Sequence, residues 1–185
     1  FISTLEMHGC CGYDPEYVNY KYNDKNQLTH RIFHLEDETE YYNKEKYFYD
    51  ANGVLVKIKV AGFDQVLNEE ISFKYNENGL IRKKEILNVV KDKKETVKYT
   101  YSEFKNTETY LDNNGDFDYK VVFIFDQNHN LIEREMHFSD GKIQQQNFTY
   151  KYDSENNWIT KIDRYRYILE DGTKEEWRNS TETTR

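Results

Sequence analysis

The chain has 185 residues, with 34 acidic and 26 basic side chains, a formal net charge of −8, 17 tyrosines and a single proline. Its length suits one domain or two small ones. The acidic balance argues against a nucleic-acid partner, whose phosphates need clustered Lys and Arg. The lack of any apolar run of roughly 18 residues argues against a transmembrane helix.

Residues 1–17 carry no repeat and are expected to be an irregular lead-in. His8-Gly9-Cys10-Cys11-Gly12 has the glycines of a loop. Adjacent cysteines rarely bridge, because the small ring strains the peptide and the disulfide together, and two cysteines are not a disulfide framework. They leave the redox compartment open. His8, Cys10 and Cys11 lack the paired-cysteine spacing of a zinc site, so no metal is expected there. The first residues also lack the charged-then-apolar order of an export signal.

From Val18 the chain repeats. An aromatic, any residue, a second aromatic and then Asp or Asn recur before a turn and a fresh apolar stretch. The second aromatics are Tyr22, Tyr49, Tyr75, Tyr101, Phe125 and Tyr152, at steps of 27, 26, 26, 24 and 27 residues. A fixed period of this size marks a repeat architecture, and these six are read as its structural anchors.

Each unit reads as two strands. One runs into Tyr49; after Asp50 to Gly53 the next shows Val54, Val56, Ile58 and Val60 at period two. Asn52-Gly53 and Asn78-Gly79 are hairpin-turn dipeptides, and Gly53 and Gly79 are expected at positive φ. Return turns are expected at 61–65, 91–94, 113–116, 139–142 and 170–173. Six units give about twelve antiparallel strands of roughly 8–10 residues. No stretch carries a helical apolar stripe; Glu36 to Lys46 alone tolerates helix and is read as a polar connection with strand ends.

Runs such as Arg82-Lys83-Lys84-Glu85 and Glu133-Arg134-Glu135 cannot be buried on both faces. The expected fold is therefore all-β, an antiparallel meander of repeated hairpins forming a single curled sheet, either open or a partly closed barrel, with almost no helix. One repeat domain is expected over 18–178 and a frayed tail over 179–185. Exposed sheet edges would permit self-association.

The motif Tyr-x-Tyr-Asp-x-x-Gly-x-Leu resembles the YD repeat of RHS-type proteins. Its copies are Tyr47/Tyr49/Asp50/Gly53/Leu55 and Phe73/Tyr75/Asn76/Gly79/Ile81. Phe123/Phe125/Asp126/Leu131 and Tyr150/Tyr152/Asp153/Trp158 match with Asn130 or Asn157 near the turn. The copy at Tyr101 departs, since Ser102-Glu103-Phe104-Lys105-Asn106 has neither the Asp nor the Gly, which leaves its turn undefined. The resemblance covers most of residues 20–173 and is to the small YD-repeat proteins of bacterial envelopes. It implies β-hairpins in curved sheets, a periplasmic, cell-surface or secreted location, and carbohydrate or another envelope protein as partner.

The aromatic anchors could form a sugar-stacking ladder, but their recurrence in register with the turns favours packing across strands. Aromatics off the register are better binding candidates. Tyr165 and Tyr167 share a strand face, and Trp177 is expected to join them across the Asp171-Gly172 turn, with Arg166 on the opposite face. The competing structural reading is that these rings close the last sheet edge. Trp158 stands where other copies carry Leu or Ile and is read as core.

Asp112 to Asp118 alternates oxygen side chains as a calcium loop does, but its glycine falls at the wrong place for an EF-hand, which favours an Asn-Gly hairpin. His30 and His34 lie four apart on a strand and lack the metalloprotease pattern. No phosphate loop, Gly-x-Ser-x-Gly or His-Glu-x-x-His is present. No catalytic residue, cofactor or metal is expected, and the chain is not expected to be an enzyme. The expected function is non-catalytic: a cell-envelope or secreted repeat protein binding a glycan or protein through a sheet face. The alternative is a carboxylate-dependent hydrolase acting on a polysaccharide, which needs two carboxylates ~5–10 Å apart in a deep cleft.

Overall fold

The computed structural model describes residues 17–34, 41–63, 65–155 and 157–184. The lead-in with His8, Cys10 and Cys11 lies outside them. Thirteen strands follow in chain order: β1 (Tyr17–Tyr22), β2 (Leu28–His34), β3 (Tyr41–Tyr49), β4 (Leu55–Gly62), β5 (Leu67–Tyr75), β6 (Ile81–Asn88), β7 (Lys93–Ser102), β8 (Lys105–Leu111), β9 (Phe117–Phe125), β10 (Leu131–Phe138), β11 (Ile143–Tyr152), β12 (Trp158–Ile168) and β13 (Arg178–Thr184). They form one sheet in which every neighbour in space is a neighbour in sequence. The order is open, with β1 and β13 at its two ends, so the sheet is not closed into a barrel. The described residues contain no helix, and none is long and apolar enough to cross a membrane.

The thirteenth strand lies where a frayed tail is expected from sequence. Arg178–Thr184 pairs antiparallel with β12, from Tyr165↔Arg178 to Thr160↔Thr184. β12 is the longest strand, at 11 residues, and its free backbone edge supplies hydrogen bonds that the polar tail can take up without an apolar pattern of its own. The threonines of the tail suit a pleated strand.

One turn device recurs. In the turn after β3, the Asp50 amide donates to the Val54 carbonyl at 2.9 Å and the Gly53 amide donates to the Asp50 carbonyl at 3.1 Å. The Asp50 side-chain oxygen accepts from the amides of Asn52 and Val54, both at 2.9 Å. The fourth turn residue is left-handed, with φ +82° at Gly53 and +76° at Gly79. Asn52 is not left-handed, so this is a type I turn closed by a bulge and not a two-residue turn with two left-handed positions. The register accordingly slips between Phe48 and Tyr49. Asn26 and His129 hold the same fourth position at φ 59° and 61°.

The Asp112 oxygen likewise accepts from Asn114 and Asp116 at 2.9 Å, so the calcium-like loop is a copy of this turn. The departing copy uses a shorter link: Ser102 pairs directly with Lys105 across Glu103 and Phe104. The shorter link accounts for the short step of 24 residues to Phe125.

Five of the six anchors fall on the last residue of β1, β3, β5, β9 and β11, and Tyr101 on the next to last of β7. They do not fill a core: Tyr22 is 58% exposed and Tyr101 and Tyr152 are each 38% exposed. Tyrosine hydroxyls near these strand ends instead brace the preceding hairpin. Tyr49 donates to the Leu28 carbonyl at 2.8 Å, Tyr101 to Ile81 at 2.8 Å and Tyr150 to Leu131 at 2.9 Å. Each acceptor is the first residue of β2, β6 or β10, so the hydroxyls tie one hairpin to the next.

The chain divides into two compact units, Phe1–Ser72 with Ile86–Lys93 and Phe73–Glu85 with Lys94–Arg185. In the first, Phe33, Ile58, Val60 and Ile71 are buried on the face that also carries Glu45, since directly paired residues share a face. Glu45 is only 4% exposed. It accepts the Tyr47 hydroxyl and lies 3.8 Å from Arg31, whose guanidinium stands 4.6 Å from the centre of the Phe33 ring. Burial, and then Glu45, push the Tyr47 phenol above its usual range. In the second unit, Val97, Val121 and Phe148 are buried on one face. That face includes the cross-strand row Tyr99, Glu108, Val121, Met136, Gln144 and Tyr167. Beside it Tyr110 and Tyr119 stack at 4.2 Å. Val122 is buried on the reverse face.

Candidate functional site

β12 presents its odd and even positions to opposite faces. Tyr165 and Tyr167 meet edge to face at 6.3 Å, on the aromatic face. Trp177 does not join them. The Arg166 guanidinium lies 4.3 Å, and that of Arg164 5.7 Å, from the centre of the Trp177 ring, which places the indole on the arginine face. The expected cluster of three rings on one face is therefore corrected. The cause is local: after the turn, Ile168 bridges to Lys174 and the Glu175 amide donates to Tyr167 at 2.9 Å. Regular pairing resumes only at Arg178, so strand alternation cannot be counted through to residue 177. All three rings are half-buried.

The arginine face holds a polar ladder that spans β10, β11 and β12. Arg166, Gln145 and Glu135 are directly paired across these strands. Arg166 Nε donates to Gln145 Oε1 at 2.8 Å. Gln145 Nε2 donates to Glu133 Oε1 at 3.1 Å and to Glu135 Oε1 at 3.4 Å. His137 Nε2 lies 2.9 Å from Glu135 Oε2. One amide thus holds two carboxylates together and a guanidinium opposite them. Burial raises the Glu133 carboxyl above its usual range; the Gln145 amide opposes this and the neighbouring Glu135 reinforces it.

These residues offer planar donors, carboxylate acceptors and an indole platform on an open strand face. Two open concavities lie elsewhere, at hairpin turns. One is lined by Tyr75, Asn76, Glu77, Asn78 and Arg82, the other by Lys142, Leu169, Glu170 and Asp171. Among the described residues no group of three or more His, Cys, Asp or Glu is placed to hold a metal ion. Trp158, read as core, is half-buried and meets Tyr150 edge-on at 6.3 Å. The ladder escapes sequence reading because the contacts that join its strands span 10 to 21 positions and form only once the register is fixed.

No family model matches the chain, and no curated protein matches it. Solved structures do. A porin-like protein from Bacteroides uniformis matches at 11% identity and TM-score 0.49, over 91% of this chain and 89% of that one. A protein of unknown function from Bacteroides fragilis matches at 16% identity and TM-score 0.37, over 74% of this chain and 91% of that one. A chain of the TcdB2-TccC3-Cdc42 structure matches at 11% identity and TM-score 0.43, over 89% of this chain but only 12% of that one. At these identities and scores the likenesses carry no inference about ligand or activity.

Proposed function

We propose that this chain is a non-catalytic, YD-repeat-like protein of the cell envelope or secreted space, and that it binds a glycan or another envelope protein through the arginine face of β10–β12. The observation that carries this reading is the ladder from Glu133 and Glu135 through Gln145 to Arg166, ending against the indole of Trp177. Fixed donors and acceptors beside a flat ring suit hydroxyl-rich ligands, and the open face suits an extended one. The recurrence of the Asp- or Asn-headed turn supports the repeat reading. The carboxylate pair on one amide is the observation that favours the alternative, a polysaccharide hydrolase.

A glycan array and a pull-down with envelope extract, run on the wild type, Trp177→Ala and Arg166→Ala, test the proposal. Loss of a wild-type signal in both variants, at unchanged melting temperature, supports it. A signal that neither variant alters sinks it. Polysaccharide turnover that Glu133→Gln abolishes replaces it with the hydrolase reading.

A further inference from the structure

We propose that the lysine face of β1–β4 docks on an anionic phospholipid surface. This face lies in the first compact unit, and the inference does not depend on the ladder described above.

The register builds a row of basic side chains. Lys21 is paired with His30, His30 with Lys46, Lys46 with Lys59, and Lys59 with Glu70 of β5. Lys44 and Lys57 stand two positions away from Lys46 and Lys59 along β3 and β4, on the same face. Every lysine within β1–β4 therefore lies on one side of the sheet. Among the described strand residues of β1–β5 the acid on this face is Glu70, held by Lys57 at 2.6 Å and Lys59 at 3.2 Å; Lys57 leads in drawing its carboxyl below the usual range. Arg31, Glu45 and Glu69 point to the other face.

This segregation occurs in a chain whose net charge is −8. Like charges placed directly opposite each other across strands destabilise a sheet, and a merely solvated face intersperses its signs. Here Lys46 opposes Lys59 directly. Burial first, then Lys44, Lys46 and Lys21, hold the His30 imidazole below its ordinary value. The face is a patch of one sign, to which an anionic surface is complementary.

The chemistry of the face selects the source. Its cations are lysines, compact charges on flexible stems that suit individual headgroup phosphates; the arginine forks used for bidentate recognition are absent from it. Around them stand Ile32, Phe48 and Ala61, with Asn19, His34 and Ser72 as polar neighbours; Asn19 and His34 are engaged with each other at 3.2 Å. The cations spread over three rows and are not confined to one line. Duplex nucleic acid lines its phosphates along its strands at about one charge per 1.7 Å of axis, a poorer match to that spread than the headgroups of a bilayer.

Flotation of the full chain with phosphatidylcholine vesicles, with and without phosphatidylglycerol, tests the inference. Each lysine near an anionic surface contributes a factor of about five in partitioning. The wild type should float with phosphatidylglycerol vesicles alone, and less so as salt rises. Lys46→Glu with Lys59→Glu should lose at least about tenfold. Lys98→Glu with Lys151→Glu, an equal charge change at exposed sites of β7 and β11, should retain binding. Lys46→Gln with Lys59→Gln removes an opposed pair, so it keeps the fold intact and should still lose binding. Equal flotation on both vesicle types overturns the inference, as does equal loss in the two charge-reversal variants. Binding to a soluble sulfated dextran without flotation overturns it in favour of an anionic glycan.

Discussion

Two glycines in equivalent turn positions should respond unequally to alanine. At Gly79, φ is +76° and nothing lies within 4 Å of an added Cβ. Gly79→Ala therefore meets backbone strain alone, about 1 kcal/mol. At Gly53, φ is +82° and the added Cβ would stand 2.8 Å from Gln27 Nε2. That nitrogen donates to the Gly53 carbonyl at 3.0 Å. The Gln27 side chain can swing away, but the hydrogen bond is then lost, adding about 1 kcal/mol. Gly53→Ala should thus destabilise by about 2 kcal/mol, and a cycle with Gln27→Ala should show a coupling of about 1 kcal/mol. Gly79→Asn should lose less than Gly79→Ala, because Asn26 and His129 already occupy this position. Urea melts give these values from the shift in midpoint at constant slope. Equal losses for the two alanine variants, with no coupling to Gln27, would refute the turn geometry.

Glu45→Ala should destabilise by about 2–3 kcal/mol, since it leaves the Tyr47 hydroxyl and the Arg31 guanidinium without their shared acceptor; denaturant midpoints check it. Glu133 makes a pH prediction. A carboxyl raised in the folded state favours folding at acid pH, and that contribution is lost as pH climbs from the ordinary carboxylate range through the raised value. Glu133→Gln should therefore stabilise the protein at neutral pH and leave it unchanged in acid, read from melting temperatures across pH.

The meander was legible because its signals are local. The aromatic pair, the Asp or Asn and the left-handed fourth residue all lie within one strand end and its turn, so a period in sequence becomes a period in space. What needed register was hidden. β13 carries no apolar alternation, and its pairing comes from the free edge of β12. Trp177 follows an irregular stretch in which period-two counting fails. Glu45 reads as one more charge in Lys44-Glu45-Lys46, and only its cross-strand partners Arg31 and Val60 show that it is buried. The lysine row appears one strand at a time as ordinary alternation; its single sign emerges when the strands are aligned.

The strand order has a consequence for how such a chain changes length. Because each strand bonds to its immediate predecessor and successor, no distant segment must be found before the next is laid down, and the sheet can be lengthened or shortened like a knitted row. Asp126 and Asp153 head the same turn and follow equivalent anchors. Excising residues 126–152 would bring Phe125 directly before Asp153 and lead β9 into β12 with sidedness preserved. Whole hairpins can thus be gained or dropped between equivalent turns, each product inheriting a ready-made splice.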